Sequence, residues 1–152
     1  MDSGASLPEV TLVLADGAPL PLRSLAGKPA VLYFYPKADT PGCTREAEDF
    51  TRLAERFAAA GAAVIGVSKD PPVKLAKFAS KRALTIGLAS DESGAACAAF
   101  GVWGEKQLYG RTYMGVERAT FLFGADGRLA RAWRKVKVPG HAEAVLAAAQ
   151  AL

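Results

Sequence analysis

The chain holds two cysteines, Cys43 and Cys97, and a single histidine, His141. Cys43 is the one whose setting suggests chemistry. It closes Thr40-Pro-Gly-Cys43, in which Thr40 reads as a helix N-cap and Pro41 as the first helical residue. Cys43 then falls inside the first turn, where backbone N–H groups have no intrahelical partner. The positive end of the helix dipole favours a thiolate there, and the thiolate is the nucleophilic form of cysteine. The small or capping neighbours Thr40, Pro41, Gly42 and Thr44 leave room for a substrate to approach. Against this stands a buried structural cysteine, since free cysteine is among the most buried residue types. Position alone leaves both readings open. Cys97 lies in the small-residue run Ser93-Gly-Ala-Ala-Cys-Ala-Ala-Phe100, where a packed core cysteine is expected.

Other chemistries lack parts. One histidine is too few for a Cys/His hydrolase or a multi-histidine metal centre, so no metal site is expected. Cys43 has no partner cysteine three residues on, which argues against a disulfide reductase. Neither a P-loop nor a G-x-G-x-x-G fingerprint is present, and no cofactor is expected. Two cysteines cannot make a disulfide framework. The charge of +4 and isoelectric point near 9.2 are mildly basic. The densest basic stretch, Arg131 to Lys137, is interrupted by apolar residues and reads as one wet face of a strand. A nucleic-acid partner is therefore not expected. Asp2, Pro8 and Glu9 stand where a signal peptide would need a basic start and an apolar run. The longest apolar stretch, Ala58 to Val67, falls short of the ~20 residues that cross a bilayer. These features predict a soluble, cytoplasmic protein with no membrane partner.

The elements that must position Cys43 follow from periodicity. With 152 residues, 51% hydrophobic and 22% charged, residues 1–152 are expected to form one globular domain. Val10–Leu14 reads as a strand ended by Ala15-Asp16-Gly17. Ala30–Tyr35 is a continuous apolar run, the pattern of a central strand buried on both faces, and it stops at Pro36. One long helix is predicted from Thr40 to Ala60. Ala47, Phe50, Leu53, Ala54 and Phe57 recur along one side, and Arg45, Glu46, Glu48, Asp49, Arg52 and Glu55 fill the other. Next come a strand at Ala63–Val67, a helix at Val73–Arg82, a strand at Ile86–Ala89 and a small helix at Gly94–Phe100. A Gly-punctuated loop leads to strands Ala119–Phe123 and Leu129–Val136, joined by the turn Ala125-Asp-Gly-Arg128. A last helix runs from His141 to Leu152. This order predicts an α/β protein with a central mixed sheet flanked by helices, which the thioredoxin-like fold satisfies.

Tyr35-Pro-Lys-Ala-Asp-Thr-Pro-Gly-Cys-Thr44 sets Pro36, Thr40 and Cys43 in a P-x-x-x-T-x-x-C arrangement. It resembles the peroxiredoxin active-site motif, and most closely that of the bacterioferritin comigratory protein, or peroxiredoxin Q, subgroup. The likeness extends through Phe100-Gly-Val-Trp-Gly-Glu-Lys106, Tyr109–Gly115 and Glu117-Arg-Ala-Thr-Phe121. It implies a thiol peroxidase in which Cys43 is the peroxidatic nucleophile and Pro36 shields it from water. It further implies that the Thr40 hydroxyl contacts thiolate and peroxide, and that Arg118 arrives from a later strand. Gly42 and Cys43 would add backbone donors. The substrate implied is hydrogen peroxide or an organic hydroperoxide, and the product a Cys43 sulfenic acid. A guanidinium beside the sulfur favours the thiolate and stabilises the charge that develops on the leaving oxygen.

In many members of this subgroup a resolving cysteine lies five residues after the peroxidatic one, or in the next helix. Those positions here are Glu48 and Ala79. The sequence therefore predicts a one-cysteine form recycled by thioredoxin, glutaredoxin or glutathione, with Cys97 as the alternative resolving residue of an atypical two-cysteine form. A redox sensor or relay that passes Cys43 oxidation to a partner protein is the reading from another functional class. The subgroup implies a monomer or weak dimer. Trp103, Tyr109 and Tyr113 are candidates to flank the pocket.

Overall fold

A computed structural model describes residues 1–152. Its nucleus is β3 (Ala30–Phe34), whose five residues are all buried, as a strand covered on both faces must be. To one side β3 pairs in parallel with β4 (Ala63–Ser68), and β4 pairs in parallel with β5 (Gly87–Ser90). To the other side it pairs antiparallel with β8 (Ala119–Phe123), which forms a hairpin with β9 (Leu129–Trp133). At the far edge, β1 (Thr11–Leu14) and β2 (Pro19–Pro21) complete a seven-stranded mixed sheet in the order β2-β1-β5-β4-β3-β8-β9. A proline-flanked strand of three residues such as β2 suits an edge, where one side of the backbone needs no partner.

Because side chains alternate along a strand, the sheet divides the interior in two. Val31, Tyr33 and Tyr35 point to one face, where α1 (Pro41–Arg52), α2 (Ala54–Ala59), α3 (Pro72–Lys81) and α5 (His141–Gln150) pack through Cys43, Phe50, Phe57, Leu75, Phe78 and Val145. Leu32 and Phe34 point to the other, against α4 (Ala95–Ala99), Phe100, Phe121 and the N-terminal segment. Cys97 belongs to this second layer. Tyr33 fits only because Gly66 faces it from β4. A Cβ on Gly66 would lie 2.6 Å from the Tyr33 ring.

Several elements differ from the sequence expectation. The helix predicted over Thr40–Ala60 is two helices, broken at Leu53, where the backbone leaves the helical region (φ −97°, ψ 4°). Leu53 turns into the core, and α2 is carried round so that Phe57 meets Phe50 at 5.8 Å between ring centroids. Glu46, placed by its spacing on the polar side, is 1% exposed. The stretch read as a loop after Phe100 is a β-hairpin, β6 (Trp103–Leu108) and β7 (Arg111–Val116), forming a separate two-stranded sheet. Most of its side chains are exposed on both faces, so no apolar alternation marks it. The readable signal was Tyr109-Gly110, whose positive φ angles of 52° and 76° make the tight turn. β9 ends at Trp133 rather than Val136, since Lys135 takes a positive φ of 47° and turns the chain.

Candidate active site

Thr40 occupies the N-cap position of α1 and Pro41 opens the helix, so Cys43 sits in the first turn as its spacing predicts. The capping side chain behaves differently from expectation. The Thr40 hydroxyl makes no cap hydrogen bond and instead donates to the Lys37 carbonyl at 2.7 Å. With its proton committed there, the oxygen is left as an acceptor for a group arriving over α1. Pro36 follows the buried end of β3 and is half-buried, while Tyr35 N still donates to Val67 O at 3.0 Å. The loop between strand and helix is held by Ala38 N, which donates to Asp70 Oδ2 at 2.8 Å.

Arg118 reaches this turn from the other side of the sheet centre, where Val116 ends β7 and Ala119 begins β8. Its Nη2 lies 3.4 Å from Cys43 Sγ, and its Nη1 donates to Glu46 Oε1 at 2.7 Å. One planar guanidinium thus spans the thiol and a carboxylate, a geometry that lysine cannot supply. Residues 75 positions apart in sequence are brought together. Glu46 is the functional neighbour that sequence reasoning missed. It stands three residues after Cys43, on the same side of α1, and that spacing was the available signal. Burial pushes the Glu46 carboxyl up to about 7, against the opposing pull of Arg118. For Arg118 burial alone would weaken the charge, yet Glu46 and Cys43 outweigh it and hold the guanidinium more firmly protonated.

Gly42 has a steric part. A Cβ there would stand 3.3 Å from Arg118 Nη2, closer than most such contacts. The Gly42→Ala variant is accordingly expected to displace the guanidinium by a few tenths of an ångström. Reaction with peroxide should slow several-fold, while thermal stability is kept or slightly raised, because alanine is the better helix former by up to ~1 kcal/mol. Stopped-flow oxidation alongside a melting curve checks both halves.

The remaining candidates make no hydrogen bond to Cys43 or Arg118. Cys97 is fully buried, its backbone N–H donates to Asp91 Oδ2 at 2.8 Å, and burial together with that carboxylate pushes its thiol up to about 12. Cys43 and Cys97 pack in opposite layers of the interior, with the central sheet between them. His141 begins α5 as expected, but its ring is buried. Nε2 lies 2.8 Å from the Thr120 hydroxyl, and burial and the charge of Arg118 lower it to about 4. It is thus neutral near pH 7 and packs edge-on against Phe50 and Trp133. Trp103 is covered by Lys69, whose Nζ is 4.2 Å from the ring centroid, and Tyr109 stands almost wholly exposed at the hairpin turn. Tyr113 is half-exposed on β7. No group of three or more metal-ligating side chains occurs. No helix is long and apolar enough to cross a membrane.

Known proteins are similar to this chain in sequence and in fold. The model of the AhpC/TSA family matches residues 3–132. A peroxiredoxin Bcp from Xanthomonas campestris is 46% identical over 99% of this chain and 96% of its own. One from Bacillus subtilis is 45% identical over 93% of this chain and 90% of its own. Among solved structures, the X. campestris bacterioferritin comigratory protein, studied for its alkyl peroxide reduction activity, superposes with a TM-score of 0.91. It is 45% identical, and the match covers 99% of this chain and 98% of that one. Its fold is the thioredoxin fold of the peroxiredoxins, and the present sheet and helices follow it. The chain belongs to the AhpC/TSA family and is a thiol-dependent peroxidase of the Bcp/peroxiredoxin Q group.

Proposed function

We propose that the chain reduces hydrogen peroxide and organic hydroperoxides with Cys43 as nucleophile, and that an external thiol restores it. The observation that carries this reading is the Arg118 guanidinium shared between Cys43 Sγ at 3.4 Å and the buried Glu46 carboxylate. In the proposed step the Cys43 thiolate attacks one peroxide oxygen as the O–O bond breaks. The other oxygen departs with the bonding pair, takes up a proton and leaves as water or an alcohol, and Cys43 becomes a sulfenic acid. Arg118 stabilises the charge growing on the departing oxygen, helped by the N–H groups of Gly42 and Cys43. Thr40 accepts a hydrogen bond from the hydroperoxide proton. Pro36 limits access of water to the sulfur.

A thiol then attacks the sulfenic sulfur, releasing water and leaving a mixed disulfide, which a second thiol reduces. The one-cysteine form is supported by the layering of the interior. A disulfide needs Cα atoms within about 7 Å, and here a whole sheet separates the two thiols. Candidate electron donors are thioredoxin, glutaredoxin and glutathione. The reading is tested by intact mass after one equivalent of peroxide. A gain of one oxygen, located at Cys43, supports it. A loss of two hydrogens with a Cys43–Cys97 bond replaces it with a two-cysteine cycle. In the same experiment Cys97→Ser should turn over with external thiol as the parent chain does. Loss of thiol-supported turnover in that variant would assign the resolving role to Cys97.

A further inference from the structure

Beside the loop that carries Thr40 lies a second cleft, about 240 Å3 in volume, between residues 37–39 and the face of α3 that bears Lys74, Lys77 and Lys81. Its charge is unbalanced. Lys81 is taken up by Asp39, which it meets at 2.7 Å and which Arg82 also contacts at 3.0 Å. Lys37, Lys74 and Lys77 are paired with no carboxylate. The other acid at the cleft, Asp70, uses a single oxygen, Oδ2, to accept from both Ala38 N and Ser68 Oγ. Its Oδ1 takes no hydrogen bond. Phe78, a core side chain in the same layer as Cys43, supplies an apolar patch to the wall.

Three free ammonium groups and one free carboxylate oxygen complement a small molecule with two carboxylates and one ammonium. The cavity is too small for more than a ligand of a few residues. The proposed cycle also requires a thiol from outside, since no second cysteine lies on this face of the sheet. We propose that this cleft binds a dicarboxylate low-molecular-weight thiol of the glutathione class and places it beside the Cys43 turn. This rests on Cys43 being the oxidised centre that an external thiol restores. The thiol sulfur attacks the Cys43 sulfenic sulfur, an S–S bond forms, the S–O bond breaks, and the hydroxyl leaves as water with the thiol proton. A second molecule of the thiol displaces Cys43 from the mixed disulfide, releasing the thiol's own disulfide.

The test compares charged and uncharged thiols on the parent chain and on the double variant Lys74→Glu/Lys77→Glu. Glutathione-supported turnover should fall roughly tenfold at low ionic strength, and the deficit should shrink as salt is added. Turnover with uncharged dithiothreitol, and the rate at which peroxide oxidises Cys43, should both stay at the parent value. The neutral pair Lys74→Gln/Lys77→Gln should lose less. Equal effects on both thiols, or none on either, overturn the proposal. So does a loss confined to thioredoxin-supported turnover, which would make the lysines a contact for an acidic protein surface. Binding of unreactive S-methylglutathione, followed by amide shifts in α3 and residues 37–39, decides the cleft without any chemistry. Shifts absent from this region overturn the site. If shifts appear there while no thiol restores the oxidised chain, the fault lies with the peroxidase cycle and not with the cleft.

Discussion

A Cys43→Ser variant should lose peroxide reduction by at least about a thousandfold while keeping its circular dichroism and melting behaviour. The serine hydroxyl is not ionised near neutral pH and is a poor nucleophile toward a peroxide oxygen, so the attacking group disappears. The fold should survive because serine is close to cysteine in volume, and Arg118 retains its 2.7 Å contact with Glu46 when the sulfur is gone. Competitive consumption of peroxide against a reporter thiol, measured beside a thermal melt, tests both parts. Undiminished turnover by a folded variant would falsify the assignment of Cys43 as nucleophile. A variant that unfolds would instead show that the side chain, 2% exposed beneath the helix, is needed for packing.

The second large effect belongs to Arg118. Replacing it by methionine removes the cation in contact with the thiol and, in the proposed step, the donor to the departing oxygen. Loss of a preorganised group of this kind costs ~3 kcal/mol in the barrier, or on the order of a hundredfold in rate. Stability should suffer less than the loss of a buried ion pair suggests. Glu46 would be left without its partner, but its carboxyl already titrates at about 7 and can take up a proton rather than remain a buried charge. An undiminished rate of Cys43 oxidation by peroxide in Arg118→Met would place Arg118 outside the chemistry.

What could be read from the sequence divides along the range of the interactions. Residues 36–44 were legible because their signals are local, a strand stop, a cap position, a helical proline and a cysteine one turn in. The buried strands β3, β4 and β8 were legible because continuous apolar runs leave little choice. Arg118 was reached only through resemblance, since nothing local distinguishes it from a surface arginine. Glu46 was misplaced because helical periodicity counts charge without knowing whether a partner waits inside. The break at Leu53 escaped notice since a leucine at a core-facing position fits a straight helix equally well. The hairpin β6–β7 carries no apolar alternation, so it could be found only from its turn. In each failure the missing information was a contact from a distant part of the chain.

In the proposed cycle, the sheet that stands between the two thiols also decides the form in which the oxidation is held. A peroxidase that can pair its own cysteines parks the oxidation as a disulfide and waits. In the proposed cycle this chain has no such parking place, so the first peroxide leaves it stalled until a thiol arrives. Starved of thiol, a population should consume one peroxide per chain in a burst, and further peroxide only by carrying the sulfenic acid on to a sulfinic acid. With thiol supplied, the steady rate should follow the thiol concentration rather than that of the peroxide. The fraction of oxidised chains would then record the ratio of peroxide to thiol around the molecule.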